Sequence, residues 1–128
     1  MNYSTKEFSI KTGLSASTLR YYEKERVLPF VKRDGYGNRI YDDENVEWID
    51  FILALRSTGM PIAEIKRYVD LYKEGEKTIQ ERKQMILDHK VKVQKEIMQM
   101  NKYLDKINYK LSLYDILEAD LETKNIKI

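Results

Sequence analysis

The chain has 128 residues, 42% hydrophobic and 34% charged, with a formal net charge of +2 and no cysteine. That length suits one compact domain or a small domain with an extension, and no apolar run approaches membrane-spanning length. Disulfides, thiolate metal sites and thiol redox chemistry are excluded, and an N-terminus without a signal-peptide profile points to the cytosol.

The charge is unevenly spread. Residues 1–41 hold eight Lys/Arg against four Asp/Glu, an excess of +4; residues 42–75 hold four against eight, or −4; residues 76–128 hold eleven against nine, or +2. A local positive excess of this kind is what a phosphate-facing surface requires.

Two short helices are expected first. Ser4 can cap the first, with Glu7 reaching back as a capping box, and Gly13 suits its left-handed end. Ser15 can cap the second. Two helices joined by a Gly-containing turn form a helix-turn-helix pattern. In the second helix Leu19 and Tyr22 can face inward, which leaves Thr18, Arg20 and Tyr21 facing outward near its N-terminal half. Such a layout suits a helix that reads base edges in a major groove: Arg offers a donor fork, and Thr and Tyr offer hydroxyls.

After Pro29 the chain cannot easily stay helical. Phe30 to Arg33 and Asn38 to Tyr41 read as strands, joined by the turn residues Asp34, Gly35, Tyr36 and Gly37. A hairpin beside a helix-turn-helix is a wing, and Lys32, Arg33 and Arg39 are placed for phosphates. Asp42 can cap the next helix, with Val46, Ile49, Ile52 or Leu53, and Leu55 at helical spacing and Trp48 as a packing anchor. Gly59 ends it, and Pro61 suits the first position of another, whose stripe is Ile62, Ile65, Tyr68, Val69 and Tyr72 up to Gly75.

From Glu76 on there is neither Pro nor Gly. Ile79, Ile86, Val93, Ile97, Met100, Leu104, Ile107, Leu111 and Tyr114 occupy alternating heptad positions, interrupted by Lys83 and Lys90. A lone helix with this stripe leaves it wet, so a homodimer is expected through it.

Several segments together resemble the MerR family of bacterial transcription regulators. These are Thr18 to Glu23, Val27-Leu28-Pro29, Arg33 to Tyr41, Phe51-Ile52, Leu55-Arg56, Gly59 to Ile62 and Glu64-Ile65. The resemblance covers Tyr3 to about Tyr72. The expected architecture is therefore mainly α: a winged helix-turn-helix DNA-binding domain over residues 1–75, a coiled-coil dimerisation helix over 76–115, and a short tail over 116–128. The resemblance implies that the helices pair antiparallel in the dimer. It also implies promoter DNA as ligand and RNA polymerase as the protein that benefits when the DNA is distorted. Ser17, Thr18, Arg20 and Tyr21 would then meet the major groove, and Arg33, Arg39, Tyr41 and Tyr3 the backbone.

Within that family the stretch Ile49 to Ile62 is most similar to the aldehyde- and electrophile-responsive branch, whose members carry a reactive cysteine near the position of Ala54. Alanine cannot be alkylated, so any inducer would act non-covalently. Trp48, Phe51, Met60, Tyr68 and Tyr72 are candidates for lining an intersubunit pocket, or else plain core. No catalytic constellation is present: the one histidine, His89, lies mid-helix between Asp88 and Lys90, and no cofactor or metal set is expected. Two other readings fit parts of the chain: an excisionase-like architectural DNA binder, which would lack the coiled coil, and a coiled-coil adaptor whose winged helix binds protein.

Overall fold

The structure is a computed structural model that describes residues 1–126. It divides into a first unit from Met1 to Leu87 and a second from Asp88 on. In order, the elements are β1 (Asn2–Tyr3), α1 (Thr5–Thr12), α2 (Ala16–Lys24), β2 (Lys32–Arg33), β3 (Arg39–Asp42), α3 (Asp43–Ser57), α4 (Ile62–Lys73), a 3₁₀ turn (Glu76–Thr78) and α5 (Ile79–Ile126).

Local chemistry accounts for most boundaries. Ser4 Oγ accepts from the Glu7 N–H while the Glu7 carboxylate accepts from the Ser4 N–H, a capping box that holds the Glu7 carboxyl below its usual range. Gly13, at φ +74°, ends α1 in the left-handed region that glycine enters without penalty. Asp42 caps α3 with Asn45 as reciprocal partner. Pro61 does not open α4 as its first residue. It serves as the N-cap in extended conformation, and its carbonyl accepts from Glu64 and Ile65.

The sheet is antiparallel in the order β1-β3-β2, with Tyr3 opposite Tyr41 and Arg33 opposite Arg39. The hairpin is shorter than expected, because Phe30 takes φ +64° and leaves the extended region. Strand β1 was not foreseen. Beneath the sheet, Phe8 and Tyr41 stack with ring centroids 4.2 Å apart, and Leu19, Ile49, Ile52, Ile65 and Val69 complete a core closed to solvent. Each fully buried side chain of this kind contributes about 1.5–3 kcal/mol.

Two observations bear on the expectations for the long helix. Ile86, placed in the dimer seam by spacing, is partly buried against the core of the first unit. The segment expected as a tail from residue 116 continues α5 without a break to Ile126, because nothing in it stops a helix; residues 127 and 128 lie outside the described residues. In the second unit the seam positions Ile97, Met100, Leu104, Ile107 and Leu111 are each 50–66% exposed.

Candidate nucleic-acid interface

The surface of interest is built on α2. Leu19 and Tyr22 point into the core, which turns Ser17, Arg20 and Tyr21 outward and leaves Thr18 half-buried. Three hydroxyls gather at the N-terminal end. Ser15 Oγ accepts from the Thr18 N–H at 3.1 Å and lies 2.9 Å from Thr18 Oγ1 and 3.1 Å from Ser17 Oγ. A helix N-terminus carrying hydroxyls is favourable for a phosphate. Among the described residues no carboxylate pairs with Arg20.

The wing is fixed beside this helix by Glu23. Its carboxylate meets Arg39 Nε at 2.5 Å and Arg33 Nη2 at 3.8 Å. Arg39 is therefore a clamp on α2 more than an outstretched phosphate ligand. Arg33 is half-exposed, and its Nη1 also donates to the Gly37 carbonyl at 2.9 Å. At the tip the Asp34 carboxylate accepts from the Tyr36 and Asn38 amides at 2.8 and 2.9 Å. The Asn38 N–H, first among these, holds its carboxyl below the usual range. The side chain of Tyr36 is left 92% exposed.

At its other end α2 is tied to α4 by an ion pair between Glu25 and Lys66, which lowers the Glu25 carboxyl. Between the start of α1 and the wing lies an open groove of about 550 Å³, with Lys6, Arg33 and Arg39 among its lining residues.

Two of the expected backbone-gripping residues are placed elsewhere. Tyr41 has no solvent exposure; it is a core residue, and burial pushes its phenol upward. Its Oη is enclosed and has no hydrogen-bond partner among the described residues. The ring of Tyr3 is likewise buried, and its hydroxyl donates to Asp43 Oδ1 at 2.6 Å. That bond raises the phenol and lowers the Asp43 carboxyl. Glu23 is the residue that sequence reasoning missed: a carboxylate on a basic surface carries no local signal of its partner sixteen positions away.

Residues 3–71 match the family described as MerR HTH family regulatory protein, and residues 46–109 match MerR, DNA binding. The chain belongs to the MerR family. An uncharacterised HTH-type transcriptional regulator of Haemophilus influenzae is 39% identical over 119 residues, 93% of this chain and 88% of that protein. The regulator AdhR of Bacillus subtilis is 42% identical over 78 residues, 61% of this chain and 56% of AdhR.

Among solved structures, HiNmlR, a MerR family regulator lacking the sensor domain and bound to promoter DNA, superposes with a TM-score of 0.85. It is 39% identical, and the match covers 93% of this chain and 94% of that one. A MerR family regulator from Listeria monocytogenes gives 0.90 at 31% identity, over 98% and 96%. The protein is thus a MerR-family transcriptional regulator with a small sheet wing and a long C-terminal helix. Among the described residues no helix is long and apolar enough to cross a membrane, and no group of three or more His, Cys, Asp or Glu is placed to hold a metal.

Proposed function

We propose that this MerR-family protein is a cytoplasmic, non-enzymatic regulator that binds promoter DNA as a homodimer and acts by distorting it for RNA polymerase. The observation that carries the reading is the pairing of an outward Arg20–Tyr21 face on α2 with a wing locked against the same helix through Glu23. One rigid body then presents a groove-reading helix and a backbone-facing hairpin together, as a winged helix-turn-helix does. The likeness to a promoter-bound relative supports it.

In this reading Ser17, Thr18, Arg20 and Tyr21 meet the major groove, with Arg33 and Lys32 at the backbone and Arg39 as the clamp between helix and wing. The exposed stripe from Ile97 to Leu111 supplies the dimer seam, paired antiparallel. Activation or repression then rests on DNA shape, whose cost depends on deformability.

The test is footprinting on the DNA upstream of the protein's own gene and its neighbours. A protected region with two-fold symmetric half-sites is expected for the wild type. Arg20→Ala and Tyr21→Ala should each weaken binding, by about 1–3 kcal/mol for the arginine, while the fold persists. If both variants bind normally, α2 does not read the DNA in this register.

A further inference from the structure

The first unit holds a second open groove, of about 420 Å³, with Pro29, Phe30, Trp48, Phe51 and Tyr72 among its lining residues. That size lies within the range of small-molecule sites. The rings form one array: Trp48 and Tyr72 lie 4.8 Å apart, and Phe30 meets Tyr72 edge-on at 6.3 Å. Trp48 is locked in place because its indole N–H donates to the Val27 carbonyl at 2.8 Å. Met60, a candidate on sequence grounds for an intersubunit pocket or else plain core, is buried in the core.

Phe30 is the unusual member. A bulky side chain rarely adopts φ +64°, and here the conformation holds the ring 62% exposed at the rim. Backbone strain that keeps an aromatic ring out of the core points to a use for it outside the core. The remaining lining is acidic. Glu44 and Glu47 project from the exposed side of α3, and Asp42 lies beside them, against the single cation Lys32. The ring of Tyr72 already takes a cation, the Arg82 guanidinium at 5.2 Å, and Arg82 is outside the groove lining.

We propose that this groove is a binding site for a small aromatic organic cation, held by the faces of Phe30, Trp48 and Tyr72 and by the carboxylates of Glu44 and Glu47. Ring faces carry negative quadrupole charge, and carboxylates add to it, so a desolvated onium ion is the complementary ligand. A neutral molecule of the same shape keeps only the apolar contact; an anion is repelled. The groove also includes Lys32 of the wing and the Asp42–Asn45 cap of α3. A ligand with different affinities for two wing positions would therefore shift operator binding. The site itself does not depend on the DNA-binding reading, and its test uses no DNA.

Trp48 is the only tryptophan of the chain, so its fluorescence reports on this groove alone. The full-length protein is titrated with benzyltrimethylammonium, benzyl alcohol and benzoate. Saturable quenching by the cation is expected, with the neutral and anionic probes about tenfold weaker or worse. Glu44→Gln combined with Glu47→Gln, which touches no core residue, should weaken the cation by about tenfold and leave the circular dichroism unchanged; Phe30→Ala should do the same. Equal quenching by the neutral probe, no saturable quenching, or indifference to the double variant would each overturn the proposal. So would loss of quenching as protein concentration rises, because a second copy would then be what covers the groove.

Discussion

Tyr41 and Arg20 are both polar-tipped side chains of the helix-turn-helix region, and the fold treats them in opposite ways. Arg20 is exposed, whereas Tyr41 is sealed against Phe8. The hydroxyl of Tyr41 is enclosed without a normal hydrogen bond, a state that costs about 1–3 kcal/mol for a buried polar group. Tyr41→Phe is therefore expected to leave operator affinity unchanged and to raise stability by about 1 kcal/mol in urea unfolding. Loss of DNA affinity in that variant would restore Tyr41 to the interface. The sequence could not place this residue. Alternation along a strand assigns two faces, and without the unforeseen partner strand β1 nothing says which face is inward. Tyr3 was misplaced for the same reason, since its partners Tyr41 and Asp43 lie about forty positions on.

At the scale of elements, Glu23 joins α2 to the wing with one carboxylate and two arginines. As a partly exposed pair it adds little stability, under about 1 kcal/mol. Its effect is expected in recognition. Glu23→Gln frees Arg33 and Arg39, so non-specific DNA binding should tighten while the preference for operator over random DNA narrows. Competition binding with both DNAs measures this, and an unchanged ratio would show that the clamp does not set the wing. The helices themselves were legible because their signals are local. Ser4 with Glu7, Ser15, Gly13 and Asp42 act within four residues of where they stand. The clamp, the strand β1 and the left-handed turn at Phe30 were not, because each depends on residues brought together only by folding.

For the whole molecule, the uncovered stripe on α5 predicts that regulation and assembly are inseparable. Leu104→Glu would place a charge in the seam and cost several kcal/mol if unpaired. The variant is expected to sediment as a monomer and to lose operator affinity, because a half-site alone binds weakly. A dimer surviving that change would put the interface elsewhere on the helix. The same stripe was readable in sequence from the heptad spacing of Ile97, Met100, Leu104, Ile107 and Leu111. Ile86 shares the heptad spacing and also packs against the core of the first unit, and spacing alone cannot tell a seam from the edge of a globular core.

The central claim, that the basic N-terminal segment doubled in a dimer grips phosphate, is tested most directly by operator affinity as a function of salt. With roughly six to ten phosphate contacts per dimer, log K should fall linearly with log salt, at a slope of about −5 or steeper, and affinity should drop by about a thousandfold between ~50 and ~200 mM. A flat titration would contradict the account and leave Arg20 and Tyr21 as contacts for a protein partner.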